Sequence, residues 1–296
     1  MVLAASLLFA VNGTVSKLVM ASGLDSLHLV EIRCLAAAVV FFALAALRSP
    51  ASLAIGRREL GFIAGYGTVG VAMVQWLYFA AIVRMPVSIS LLIEFTAPVL
   101  VALWVRFVRR RPVRNRIWAA LGLVVVGLVL VARVWAGLTL DGLGLLFSVL
   151  AAGSLAIYYL LGEAGLAGRD PFSLAAWSFG AAAVFWAVLL PWWWFPFEKL
   201  TTPVEVVGAS VPAGLLVVWV VLLGTVAPFG LVLTGLSRIG ATRTGLLGTA
   251  EPPLAGLIAW LAMGEHLTPV QIVGGAVVLA GIVLAETART PSPTSP

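Results

Sequence analysis

The sequence predicts an all-α integral membrane protein of ten transmembrane helices, arranged as two inverted five-helix repeats. Three observations predict it. Hydrophobic residues fill 62% of the 296 positions and charged residues only 10%, where a soluble domain carries about 25% charged and 45–50% apolar residues. Apolar stretches near the roughly 20 residues that cross a bilayer recur along the whole length. A stretch of the first half also returns, in weak form, 154 positions later. One soluble core cannot hide such an apolar excess. The net charge of +6 does not point to nucleic acid, because the basic residues lie between the apolar runs, where cytoplasmic loop charge belongs.

The length rule places spans at 1–21, 27–47, 60–83, 87–105, 116–135, 142–162, 172–195, 212–236, 241–263 and 268–286. Their separators carry turn chemistry: "SGLDS", "RSPAS", "RMP", "RRRPVRNR", "AGRDP", "FPFEKLTTP" and "GEHLTP". Only "SRIGATR" divides spans eight and nine, and its two arginines favour a tight turn over one broken helix. The single cysteine, Cys34, excludes an internal disulfide and a cysteine-based metal site. The first span is too long, and lacks the basic leader, for a cleaved signal peptide. It starts at the membrane surface unless a few leading residues are missing.

Loop charge sets the orientation. With a cytoplasmic N-terminus the inside segments hold thirteen arginines: Arg48, Arg57, Arg58, the cluster from Arg106 to Arg116, Arg169, Arg238, Arg243 and Arg289. The outside segments hold three basic residues, Arg84, Arg133 and Lys199. Both termini are therefore expected in the cytoplasm.

The repeat lays "PVLVALW" on "PPLAGLI" and "GLVL" on "GIVL", with Pro98 on Pro252 and Gly127 on Gly281. Five spans per copy is an odd number, so the second copy enters the membrane from the other side. The division expected is 1–135, 141–288 and a short cytoplasmic tail at 289–296. Inverted repeats of this kind bind substrate near the midplane between the halves.

The segment "LTGLSRIGATRTGLLGTAEPPLAGLIAWLAMGEHLTPVQIVGGAVVLAGIVLA" (233–285) resembles the second EamA-type domain of the drug/metabolite transporter superfamily. The likeness rests on Glu251-Pro252, the "GEHLT" turn and the glycine-rich tenth span. "WLYFAAIVRMPVSISLLIEFTAPVLVALW" (76–104) resembles the same stretch of the first domain. "FAVNGTVSK" (9–17) is similar to the first-span motif, with Asn12 and Lys17 at matching places, and Arg33 matches the second-span arginine. There are departures: Phe9 and Ala10 replace a Trp-Gly pair, Ala97 precedes Pro98 where glutamate is usual, and Arg111 stands opposite Glu265. The resemblance implies a secondary transporter that exports or exchanges small organic metabolites, such as amino acids or toxic cations, by alternating access.

Two carboxylates lie deep in spans. An ionised side chain at the bilayer centre costs about 2.5–3.5 kcal/mol on insertion scales, and such residues face cavities by default. Glu94 sits four positions before Pro98, which lacks the amide that would bond the Glu94 carbonyl. Glu251 is its counterpart, displaced by three positions, and residues three apart share a helix face. Both are candidates for substrate contact and for proton coupling. The competing reading pairs them with Lys17 or Arg33, which otherwise serve structural roles near the outer interface; Pro98 and Pro252 shape the helices. Asn12, Gln75, Tyr78, Ser154, Tyr158 and Trp177 are further candidates for the cavity wall, each with helix packing as the alternative. "PWWWF" (191–195) reads as an interfacial aromatic belt. Gly274, Gly275 and Gly281 make span ten smooth enough to pack on another helix or on a second copy, so a homodimer is open.

An intramembrane enzyme would need a buried nucleophile and base, an aspartate pair or a metal cluster. Asp25, Asp141 and Asp170 fall in loops or at span ends, and His28 and His266 lie near the surface, so neither enzyme, metal nor cofactor is expected. No P-loop supports an ATP-driven pump. A lipid scramblase or membrane scaffold is the alternative to a carrier. The partners expected are a small solute and membrane lipids. Arginine far outnumbers lysine, as in GC-rich bacterial genomes, which suggests a bacterial inner membrane.

Overall fold

The computed structural model describes residues 1–84, 87–133, 135, 141–206, 209–263 and 268–287. The side chains of 87–89, 256, 259–263 and 286–287 lie outside that description, as do most of the "GEHLTP" turn and the tail at 289–296. The helices are α1 Val2–Ala21, α2 Ser26–Arg48, α3 Arg57–Ile82, α4 Val87–Glu94, α5 Ala97–Phe107, α6 Asn115–Ala132 and α7 Gly142–Leu166. They continue with α8 Pro171–Leu189, α9 Ala213–Gly248, α10 Glu251–Met263 and α11 Pro269–Thr287. Among the described residues eight segments are long and apolar enough to cross a membrane, and Pro269–Ala285 is a shorter apolar helix. The fold is that of an all-α membrane protein of about ten spans.

Helix starts follow from local chemistry. Asp25, Asp141 and Asp170 each cap a helix, accepting from the amides of His28, of Gly144, and of Phe172 and Ser173. Such a cap contributes about 1 kcal/mol by satisfying otherwise orphaned N–H groups. Before α11, Thr268 and Gln271 form the reciprocal capping box. Helix α8 stops at Leu189 instead of running to 195, because the residue before Pro191 is pushed to an extended backbone (Leu190, φ −127°, ψ 88°). Trp192–Trp194 then form a single 3₁₀ turn, with Trp193 and Trp194 exposed. The separator after it holds an unexpected hairpin, β1 Pro203–Val206 paired antiparallel with β2 Ala209–Pro212. Four-residue strands are too short for their periodicity to stand out.

The expected turn between spans eight and nine is present. Gly240, at φ 77° and ψ 171°, interrupts α9, so the helix comprises span eight and the first turns of span nine. Spans four and nine are then both broken. The first half-helix ends at Glu94 and the second resumes at Ala97; in the later copy the same points are Gly248 and Glu251. Both pairs differ by 154, the offset of the sequence repeat. Each break is braced by a threonine hydroxyl donating to the carbonyl three residues back, Thr96 to Ile93 and Thr249 to Leu246, both at 2.6 Å. The offset also relates two π-helical stretches, 66–73 in α3 and 222–226 in α9.

The two copies interleave. Helix α1 packs on α9 and α10, while its counterpart α7 packs on α3, α4 and α5. The remaining close pairs are α2 with α8, and α6 with α11. In the last pair glycines admit backbone contact. A Cβ on Gly127 would meet the Gly274 carbonyl oxygen at 2.7 Å, and one on Gly281 would meet that of Ala120 at 2.9 Å. The small-residue faces of spans five and ten thus cover each other within one chain, where the sequence also allowed a second copy. Large apolar side chains such as Val39, Val149, Val184, Val218 and Ile272 are exposed, as a lipid-facing surface requires. Gly127→Leu should lower the unfolding midpoint in detergent by the equivalent of about 1–3 kcal/mol of overpacking. Gly122→Leu is the control, since nothing lies within 4 Å of a Cβ there. Equal midpoints for the two variants would contradict the contact.

Candidate substrate cavity

The two breaks border a cavity of about 130 Å³ whose wall draws on α1, α2, α3, α4, α7, α9 and α10. Its position follows from the backbone. Proline removes the amides that would have bonded the carbonyls of Glu94 and Gly248, and freed groups at membrane depth must meet protein or cavity water. Glu94 and Glu251 both reach the cavity wall, one at the end of α4 and the other at the start of α10. Among the described residues neither carboxylate has an ion-pair partner within 4 Å, so the pairing with Lys17 or Arg33 that the sequence allowed is not made. Pro98 and Pro252 are buried just beyond the breaks.

Arg33 departs from its expected interfacial role. It is 3% exposed and lines the cavity, donating from Nε to the Thr225 hydroxyl at 3.0 Å and from a terminal nitrogen to the Gly224 carbonyl at 3.4 Å. The π-helical stretch at 222–226 prepares this contact, since wide turns displace carbonyls from the ordinary ladder. The guanidinium also lies 5.8 Å from the centre of the Phe79 ring. Glu31, buried two residues earlier, does not pair with it and has no hydrogen-bond partner among the described residues. Lys17, by contrast, is exposed, as the sequence suggested.

Of the residues named from the sequence, Asn12, Gln75, Tyr78 and Tyr158 line the cavity. Asn12 rests against the backbone at Gly224, where even a Cβ would collide with it. Gln75 donates to the Val71 carbonyl at 3.0 Å. Two expected residues are elsewhere. Ser154 is buried but off the cavity wall. Trp177 belongs to the α2–α8 packing: its indole N–H donates to the Leu53 carbonyl at 3.2 Å and its ring meets Phe42 edge-on. Ser6, Ser16 and Phe9 are on the wall without having been singled out. Their signal was available, because 6, 9, 13 and 16 follow the three- and four-residue steps of one helix face.

The fold and the family resemblance agree with the comparisons. The EamA-like transporter family matches residues 1–133 and again 142–287. The chain belongs to the EamA-like transporter family. It is 31% identical over 230 residues to the threonine/homoserine exporter RhtA of Escherichia coli, covering 77% of this chain and 72% of that one. It is 29% identical over 276 residues to a protein of Archaeoglobus fulgidus described as an uncharacterized transporter, covering 92% and 91%. A solved crystal structure superposes with a TM-score of 0.77 at 18% identity, over 96% of this chain and 94% of the other, which bears on the fold alone.

The separation of cavity from packing residues has a direct test. Trp177→Phe should lower the unfolding midpoint by the equivalent of about 0.5–1.5 kcal/mol, the net worth of its hydrogen bond. Glu251→Gln should not lower it, since a half-buried charge without an ion-pair partner among the described residues contributes no stability. A larger loss for Glu251→Gln than for Trp177→Phe would reveal a structural partner for that carboxylate.

Proposed function

We propose that the protein is a secondary exporter or exchanger of small zwitterionic amino acids. The observation that carries this reading is Arg33, a buried guanidinium without a carboxylate partner among the described residues, on the same wall as Glu94 and Glu251. An α-amino acid supplies the complementary pair. Its carboxylate meets Arg33, and its ammonium meets Glu94 and the carbonyl-bearing ends of α4 and α9, where helix dipoles favour a cation. Asn12, Gln75 and Tyr78 offer neutral donors and acceptors for a polar side chain. Tyr78 lines the same cavity as both carboxylates and Arg33, so the charged groups border one space. The name of RhtA points the same way: threonine and homoserine are hydroxyl-bearing zwitterions of about this size.

Transport follows from alternating access around this cavity. The two repeats, 1–135 and 141–288, rearrange so that the breaks in spans four and nine open first to one face and then to the other. Both termini lie in the cytoplasm of a bacterial inner membrane, with the Arg-rich loops on that side. Glu94 is the coupling carboxylate if protons drive the cycle.

Counterflow of labelled threonine into sealed proteoliposomes tests the reading. Arg33→Gln should weaken threonine exchange tenfold or more, since a charge-assisted contact contributes about 1.5–3 kcal/mol. Unchanged exchange in that variant, or no exchange of any amino acid by the wild type, would remove the proposal. Glu94→Gln should abolish the pH dependence of exchange while leaving some transport; full pH dependence in that variant would exclude Glu94 as the coupling site.

A further inference from the structure

The Arg-rich face holds a second concavity, distinct from the central cavity and about 290 Å³ in volume. Three separate stretches of chain build it: the end of α5 with the following loop (105–117), the end of α7 at Glu163, and the turn at 239–243. Four guanidinium groups line it, from Arg109, Arg111, Arg114 and Arg243, against the single carboxylate of Glu163. That carboxylate is already engaged. It forms an ion pair with Arg109 and accepts the Ala241 amide at 3.0 Å. Gly240 makes the second contact feasible, because a Cβ there would come within 2.8 Å of the Glu163 carboxylate. Arg111 and Arg243 have no ion-pair partner among the described residues.

An orientation signal alone needs basic residues on one side of the membrane, in any arrangement. It does not need them to converge from both halves of the chain on one pocket. The pocket also has an apolar border. Val105, Val113 and Ile117 contribute to its wall, and Trp104, Phe107 and Val108 are exposed on the adjoining helix end. A ligand that suits both features carries a phosphate at the interface and hydrocarbon beside it. Arginine is the residue best fitted to phosphate, through paired N–H donors.

We propose that this pocket binds the phosphate of an anionic phospholipid headgroup, with its acyl chains lying along Trp104 and Phe107. Bound there, the phosphate ties the loop after α5 to the turn at Gly240. It thereby holds the Arg-rich ends of spans four, eight and nine together. The proposal does not depend on the identity of the transported solute.

The test uses the full chain purified in a neutral detergent and compares unfolding midpoints with phosphatidylglycerol, phosphatidylcholine or inorganic phosphate added at one ionic strength. Phosphatidylglycerol should raise the midpoint by several degrees and phosphatidylcholine should not. The double variant Arg111→Gln/Arg243→Gln should keep the lipid-free midpoint and lose the shift, and Arg57→Gln/Arg58→Gln, at two arginines that do not line the pocket, should keep the shift. An equal shift in the two double variants would overturn the proposal, because bulk charge would then suffice. So would a response to inorganic phosphate that phosphatidylglycerol does not exceed. If Arg111→Gln/Arg243→Gln lowers the lipid-free midpoint, native mass spectrometry of each single variant counts retained phosphatidylglycerol, and full retention in both singles overturns the proposal.

Discussion

A backbone carbonyl released inside a bilayer must find a donor in the protein or in enclosed water, and the rest of this structure depends on that constraint. Prolines at 98 and 252 release such carbonyls twice, at equivalent points of two copies. The helices stop at Glu94 and Gly248 and resume at Ala97 and Glu251. Threonine hydroxyls satisfy one carbonyl near each break. Glu94 and Gly248 themselves border a cavity, where the Ser6 hydroxyl lies 3.5 Å from the Gly248 carbonyl, and that cavity admits charges that lipid would reject. Broken helices, deep carboxylates and the buried Arg33 are thus consequences of one arrangement.

Interleaving gives that arrangement its walls. Because α1 packs on the second copy's broken helix and α7 on the first copy's, each break is covered by a helix from the other half. The cavity cannot exist in either half alone. Close packing of α6 on α11 through Gly127, Gly274 and Gly281 joins the two copies away from the cavity, where smooth faces gain dispersion contacts without polar groups.

Much of this was legible in the sequence, for physical reasons that differ by element. Span number and the 154-residue offset follow from hydropathy and from proline and glycine positions, which act locally. The depth of Glu94 and Glu251 was equally readable, since a charge in an apolar run has few places to go. Arg33 was misplaced near the interface because its long side chain is able to snorkel. What buries it is the π-helical carbonyl of Gly224, nearly two hundred positions away. Trp177 was a reasonable candidate by type, yet its partner, the Leu53 carbonyl, belongs to a turn in the other half. The hairpin at 203–212 is too short for its periodicity to signal, and Ser154 is off the cavity wall although Leu155, Tyr158 and Tyr159 of the same helix line it.

The central claim is that Glu94 faces water at mid-membrane depth. In a Cys34→Ser background, Glu94→Cys and the lipid-facing Val149→Cys can be compared for reaction with a charged, membrane-impermeant thiol reagent in sealed vesicles of both orientations. A wet cavity predicts modification at position 94 and none at 149. If position 94 resists the charged reagent and reacts only with a lipid-soluble maleimide, the breaks do not border water and the account fails.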